Sequence, residues 1–158
     1  VAENIALQTY YKEPNSKNGI LNYNVINAKA RELMEEFDVR GAGELIAGGD
    51  LSGGNQQKAV IAREIDRDPE LLIVSQPTRG LDVGAIEYIR KRIIAERDKG
   101  KAVIVVSFEL DEILDMSDRI AVIYDGAIQG ILDPAETNKQ DLGILMAGGQ
   151  LNKEEANV

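Results

Sequence analysis

Residues 71–85 read LLIVSQPTRGLDVGA, and this stretch decides the fold class. Leu71, Leu72, Ile73 and Val74 form a short unbroken apolar run, the pattern of a parallel strand buried on both faces. Pro77, Arg79 and Gly80 make a polar turn. Asp82 then stands where it can cap a helix opening at Val83. Ile86, Ile89 and Ile93 give residues 83–99 an inner helical stripe, and Gly100 ends it. AVIVVS (102–107) follows as a second apolar strand, expected to be as buried as the first. Strand, helix, strand is a βαβ unit, so the fold class is α/β with a parallel sheet.

The flanks extend the pattern. GGNQQKAVIAREIDRDP (53–69) starts at a glycine pair, runs as a helix and stops before Pro69. NVINAKARELMEEF (24–37) puts Ile26, Ala30, Leu33, Met34 and Phe37 on one helical face, with Asn24 as N-cap. The preceding KEPNSKNGILNY is rich in turn formers and reads as a surface loop, so residues 1–45 read as helical with a long loop. Downstream, Leu110, Ile113 and Leu114 mark a short helix. RIAVIYDGAIQGIL (119–132) reads as a hairpin turning at Asp125-Gly126. Thr137 with Gln140 fits a capping box for a last helix, which ends near Gly148-Gly149. The closing QLNKEEANV is polar and reads as frayed. No internal repeat is present.

Composition removes several function classes. The chain has 158 residues, 44% hydrophobic and 28% charged, which suits one ordinary domain with a real core. It has no cysteine, which excludes disulfides and thiolate metal sites. It has no histidine, which removes the commonest general base and metal ligand. A net charge of −9 argues against nucleic acid or an anionic membrane surface as a partner. Apolar runs reach about five residues, against roughly 20 needed to span a bilayer. VAENIAL carries no signal-peptide pattern, and an opening on Val1 inside an apparent helix is expected of a piece of a longer chain.

The chemistry concentrates in LSGGNQQK (51–58). A helix N-terminus presents N–H groups without intrahelical partners, and its dipole favours an anion. Gly53 and Gly54 lack Cβ, so the backbone can approach a phosphate closely, and Ser52 adds a hydroxyl. Taken alone, SGG also fits a glycine-rich turn with a serine cap. Context decides between these readings: twenty residues after Leu51 come the apolar strand, PTRGLD, a helix and a second apolar strand ending SFELDE.

That ordered set resembles the ATP-binding-cassette ATPases. LSGGNQQK is similar to their signature motif in the long form of sugar-type importers, contributed by Leu51, Ser52, Gly53, Gly54, Asn55 and Gln56. LLIVSQ occupies the Walker B position, and Gly80, Leu81 and Asp82 match the D-loop. Phe108 stands where the family usually has its switch histidine. PTRGLDVGAIEYI and VSFELDEILDMSDRIAVIYDG resemble the second cassette of double-cassette subunits of bacterial nucleoside and simple-sugar importers, nearest the nucleoside branch. The resemblance runs from VAENIAL to LMAGG, nearly the whole chain.

The phosphate-cradling P-loop, G-x-x-x-x-G-K-[ST], is absent from this sequence. The resemblance therefore implies a partial RecA-like core. Residues 1–60 correspond to the helical subdomain with the signature, 61–147 to the C-terminal part of the core, and 148–158 to a polar tail. It implies ATP and Mg²⁺ as cofactors of the full-length protein, with neither bound by this piece alone. It implies as partners a first cassette in the same chain, transmembrane permease subunits and, indirectly, an extracellular solute-binding protein. The implied location is the cytoplasmic face of a bacterial cell membrane.

In the family, the acid at the position of Ser75 helps hold Mg²⁺, and the acid at the position of Gln76 orients or polarises the attacking water. A neutral hydroxyl is a weak partner for a hard cation, and glutamine cannot accept a proton. Phe108 lacks the polar contact a histidine makes to the γ-phosphate. Losing one such group commonly costs about 10²-fold or more in rate. Individually these residues have plainer readings: Ser75 as an ordinary strand end, Phe108 as core packing, Gln76 as an engineered replacement that traps ATP. Together they point to a degenerate site, while the intact signature would serve the partner cassette. The resemblance carries a structural expectation as well. In the family's sheet the P-loop strand lies between the strands at 102–107 and 120–125, so the piece alone is expected to homodimerise or to re-pair these edges.

Overall fold

The structure is a computed structural model that describes residues 1–151. The frayed tail expected at 148–158 lies largely outside these residues. The chain divides into two compact units, Val1–Ile104 and the part from Val105 onward.

The first unit opens with helix α1 (Ala2–Ala6), then a small antiparallel hairpin of β1 (Ser16–Lys17) and β2 (Ile20–Leu21). The hairpin replaces the featureless loop expected there. Its two-residue turn is Asn18-Gly19, with φ of 52° and 80°, the left-handed pair that matches strand twist. Helix α2 (Tyr23–Glu36) follows. Its N-cap is Asn22, which accepts from the Val25 N–H at 3.4 Å, not Asn24 as expected. The helix starts two residues earlier because Asn22 stands three residues before a free N–H. The expected stripe is correct: Ile26, Ala30, Leu33, Met34 and Phe37 are all buried.

Helix α3 (Gly53–Ile65) leads through a turn at Asp68 into strand β3 (Leu71–Ser75). Helix α4 (Val83–Asp98) then crosses to strand β4 (Ala102–Val106), and β3 and β4 are hydrogen-bonded neighbours, the parallel pair of an α/β fold. Asp82 caps α4 by accepting from the Ala85 N–H at 2.9 Å, and Gly100, with φ of 88°, terminates it. Ile89 and Ile93 are buried, each worth about 1.5–3 kcal/mol of apolar transfer, and Ile86 is half-buried.

Both strands were expected to be buried, and the structure corrects this. Only Leu72 of β3 is buried, while Leu71 and Ile73 are 48% and 61% exposed. On β4, Ile104 and Val106 are exposed in the same alternation. Strands apolar on both faces need cover on both, and the described residues cover one. Among the described residues the sheet orders are β1-β2, β3-β4 and β5-β6, without the expected re-pairing of β4 with β5.

The second unit holds helix α5 (Leu110–Met116), strands β5 (Ile120–Tyr124) and β6 (Ala127–Leu132), and helix α6 (Lys139–Met146). The hairpin turns where expected, at Asp125 and Gly126, with φ of 47° and 74°. A bulge at Val122/Ile123 shifts the register so that Val122 faces Gly130. Ile113, Ile120, Val122, Leu142 and Leu145 form this unit's core. The N-cap of α6 is Asn138, accepting from the Asp141 N–H at 3.0 Å, in place of the expected Thr137. The Thr137 hydroxyl instead turns back to donate to the Asp133 carbonyl at 2.7 Å.

Candidate functional site

Helix α3 begins at the signature stretch, and its first turn is built to face outward. The first ladder bond is that of the Gln56 N–H to the Ser52 carbonyl at 2.9 Å, so the N–H groups of Gly53, Gly54 and Asn55 precede the ladder. Ser52 and Gly53 are exposed, and the space where a Gly53 Cβ would stand is open. Ser52 Oγ makes no helix cap. It accepts from Asn55 Nδ2 at 2.9 Å, which leaves its proton available to a ligand.

Three side chains hold that turn in place. Leu51 is buried against Gly41, where a Cβ would come within 2.7 Å of Leu51 Cδ2. Asn55 Oδ1 accepts from the Arg40 N–H at 2.7 Å, tying the turn to the segment after α2. Gln56 Nε2 donates to the Leu51 carbonyl at 2.9 Å. Asn55 and Gln56 therefore brace the loop from behind, while Ser52 and Gly53 form its open surface.

The D-loop stretch lies against the same turn. Two successive turns, Arg79 N–H to Gln76 carbonyl and Leu81 N–H to Thr78 carbonyl, both at 3.3 Å, carry the chain from β3 to α4. Pro77 and Thr78 are buried beneath them, and Gly80 adopts φ of 73°. At the junction with the signature, the Gly54 Cβ position is 3.2 Å from Ala85 Cβ and 3.7 Å from Asp82 Oδ2. The structure thus brings Gly54, Asp82 and Ala85 together. Ala85 was not singled out from sequence, although its place three residues after a capping Asp marks it as an inner position of the first turn.

Ser75 and Gln76 end β3 in the first unit, Ser75 exposed and Gln76 half-buried. Gln76 has φ of 50°, a left-handed conformation that costs a side-chain-bearing residue about 1–2 kcal/mol. Phe108 lies in the second unit, two residues beyond β4, and is 74% exposed.

Behind the signature, Lys58 Nζ donates to the Asp38 carbonyl at 3.0 Å and to Asp38 Oδ2 at 2.8 Å. Arg40 Nε donates to the other Asp38 oxygen at 3.0 Å. These two cations hold the Asp38 carboxyl below the usual carboxylate range, Lys58 contributing most. Sequence reasoning quoted Lys58 but gave it no role. Its signal was position: it stands one turn after Gly54 on the face that also carries buried Ile61 and Ala62.

The open turn at Ser52–Asn55 fits an anionic phosphate group, since it offers N–H groups and a hydroxyl with no side chain in the way. The end of β3 offers a cation only the neutral Ser75 hydroxyl and Gln76 amide. Among the described residues no three His, Cys, Asp or Glu side chains are grouped to hold a metal. These residues alone do not fit Mg²⁺. Among the described residues no helix is long and apolar enough to cross a membrane.

No family model matches the chain. Individual relatives do. It is 75% identical over 153 residues to the nucleoside import ATP-binding protein NupA of Lactococcus lactis subsp. cremoris, a match covering 97% of this chain and 30% of that protein. It is 57% identical to the guanosine import ATP-binding protein NupO of Bacillus subtilis, covering 94% of this chain and 29% of that protein. It is 44% identical to the glucose import ATP-binding protein TsgD13 of Haloferax volcanii, covering 94% of this chain and 28% of that protein. The chain thus spans less than a third of the length of these relatives. In three dimensions it resembles the dimeric structure of MJ0796, a bacterial ABC transporter cassette, with a TM-score of 0.68 at 25% identity, over 84% of this chain and 56% of that one. A match of 75% identity over 97% of this chain and a matching cassette fold agree: the chain belongs to the ATP-binding-cassette ATPases.

Proposed function

We propose that this chain is the C-terminal part of the second cassette of a nucleoside importer's ATP-binding subunit, and that it works by lending its signature turn to an ATP held by the other cassette. The observation that carries this reading is the contrast between a helix start and a strand end. The turn at Ser52, Gly53 and Gly54 is intact, braced and open. The end of β3 presents Ser75 and Gln76 where cassettes that hydrolyse ATP present acids. Ser52 and the N–H groups of Gly53 and Gly54 bind and orient the partner-held phosphates. Asp82, besides capping α4, faces the same interface. Ser75 and Gln76 mark a second site that binds ATP at most, and Phe108 occupies the switch position of the family pattern, so the subunit hydrolyses at one site of two.

In this reading residues 1–60 act as the helical subdomain and 61–147 as the C-terminal part of the RecA-like core. ATP and Mg²⁺ serve the full-length protein. The partners are the first cassette of the same chain, permease subunits and, through them, an external binding protein, at the cytoplasmic face of the membrane. Nucleosides are favoured as cargo because relatives at 75% and 57% identity are named for nucleoside and guanosine import. A monosaccharide is the alternative.

Turnover by the full-length subunit tests the asymmetry. Removing the first cassette's catalytic acid, or replacing Gly54 by leucine, is expected to abolish ATP hydrolysis. Normal turnover in either variant overturns the reading. Isothermal titration of residues 1–158 with Mg·ATP tests the division of labour: no measurable binding is expected, and micromolar binding overturns it.

A second role is favoured by the segment that runs into the first turn of α2. Tyr11, Ile20 and Tyr23 are 62%, 75% and 51% exposed there. Such a patch on residues 1–45 suits docking against a membrane subunit, which makes this region an interaction module as well. Cross-linking from position 20 in the assembled transporter is expected to capture the permease.

A further inference from the structure

Lys58 closes the stretch LSGGNQQK, yet it lies on the side of α3 away from the open turn and is only 9% exposed. Its ammonium makes three contacts, two with the turn that follows α2 and one with α4. It donates to the Asp38 carbonyl and carboxylate, at 3.0 and 2.8 Å, and stands 4.5 Å from the centroid of the Tyr88 ring. Asp38 itself is in the left-handed region, φ 49°, which turns its carbonyl toward Lys58.

Helix α4 grips the same turn of α2. Tyr88 OH donates to the Glu36 carbonyl at 3.1 Å, and Arg92 donates to that carbonyl at 2.8 Å and to the Glu36 carboxylate at 3.0 Å. The Arg92 guanidinium also lies 4.0 Å over the Phe37 ring. The last carbonyls of a helix attract cations, so one helix end is held from both neighbours.

The pairs stack in order along α3 and α4. Gly54 meets Ala85, and one turn further Lys58 meets Tyr88. The first pair fixes how close the signature comes to the D-loop. The second fixes its register, because Lys58 is anchored to a third element.

We infer that Lys58 is a positioning residue, whose ammonium, locked between Asp38 and the Tyr88 ring, sets the register at which the signature turn is presented beside Asp82. It touches no nucleotide and acts through Gly53 and Gly54. The inference rests on the proposed use of the signature by the partner-held ATP. Displacing a binding group by about 1 Å can cost up to about 10²-fold, so loss of the anchor shows as weaker use of ATP.

The test uses the full-length subunit assembled with its permease, comparing Lys58→Met, Lys58→Arg, Asp38→Asn and Gly54→Leu. Lys58→Met keeps the length and an apolar contact with Tyr88 but removes the charge and with it the cation–π contact. It is expected to raise the KM for ATP about 10-fold, with kcat changed much less and the melting temperature near that of the parent. Lys58→Arg is expected to restore the KM. Asp38→Asn, at a half-exposed carboxylate, is expected to raise the KM more modestly and to be non-additive with Lys58→Met. A lower melting temperature with unchanged KM in Lys58→Met and Asp38→Asn, or a failure of arginine to restore, overturns the inference. If Gly54→Leu is inactive in that same set, the signature reading stands and only the role of Lys58 falls. If Gly54→Leu turns over normally, both fall.

Discussion

Gly54 and Ala85 lie in contact across the first turns of α3 and α4: a Cβ on Gly54 would sit 3.2 Å from the Cβ of Ala85 and 3.7 Å from Asp82 Oδ2. The distance is shorter than an ordinary carbon–carbon contact, so the absent side chain is what lets the two helix starts meet. Gly54→Ala is expected to cost about 1 kcal/mol in the full-length protein, and Gly54→Leu about 1–3 kcal/mol through overpacking. Urea unfolding measures both. Turnover should respond more steeply than stability, because the displaced groups are those that face the phosphate. Equal loss of stability without loss of turnover would mean that the contact serves folding alone.

Gln76 poses the opposite case. Its φ of 50° is natural for glycine and strained for glutamine. Gln76→Gly is expected to stabilise the protein by up to about 1 kcal/mol. Turnover of the full-length subunit should be unchanged, since an amide that accepts no proton contributes little to attack by water. Thermal melting paired with a phosphate-release assay checks both halves. A tenfold or larger fall in turnover would return Gln76 to the catalytic machinery.

What was legible in the sequence and what was not follows from how far each signal reaches. The stripe of Ile26, Ala30, Leu33, Met34 and Phe37 was legible because helical periodicity is local and every member is buried. The turn at Asp125-Gly126 was legible because two left-handed residues in a row leave few choices. The same chemistry at Asn18-Gly19 passed as a loop, since strands of two residues carry too little alternation to mark. Caps shifted, Asn24 to Asn22 and Thr137 to Asn138, because several polar residues cluster at each helix start and their competing bonds decide. Strand burial misled because an apolar run records the cover a strand calls for, and this chain supplies half of it. At the site, Ser52, Gly53 and Asp82 were legible as helix-start residues. The partners of Lys58 were not, being 20 residues away at Asp38 and on another helix at Tyr88.

The uncovered sheet face predicts association. Leu71 and Ile73 on β3, with Ile104 and Val106 on β4, leave four large apolar side chains between 48% and 61% exposed. Exposed apolar strands pair or stack when concentration allows. Residues 1–158 produced alone are expected to show a concentration-dependent mass in sedimentation velocity. Ile73→Lys together with Ile104→Lys should keep the chain monomeric at the same concentrations. Monomers at all concentrations in the parent chain would show that this face is not adhesive.

Strong acid is expected to loosen the joint between β3 and α4. Glu96 is 2% exposed, with Oε1 accepting from Lys99 Nζ at 2.6 Å and Oε2 from Lys101 Nζ at 2.8 Å. Lys101 also pairs with Asp68, so one ammonium joins the turn before β3 to the end of α4. Burial pushes the Glu96 carboxyl up, and the bonds from Lys101 and Lys99 outweigh it and hold it below the usual range. The bond from Lys101 holds Asp68 below its usual range too, and these two carboxylates raise Lys101. A carboxyl whose pKa is lower folded than unfolded stabilises above the unfolded value, about 4.3 for Glu, and loses that contribution as pH falls through the folded one. The raised Lys101 contributes fully below the ordinary lysine value and is lost only as pH rises through its own. Stability from this joint is therefore flat near neutrality. Glu96→Gln is expected to cost about 3 kcal/mol there, the scale of removing one partner from a buried ion pair. In melting curves the gap between parent and Glu96→Gln should stay constant from about pH 8 to 6 and close below about pH 4. A gap that persists undiminished at the acid end would show that Glu96 is held by its packing and not by its charge.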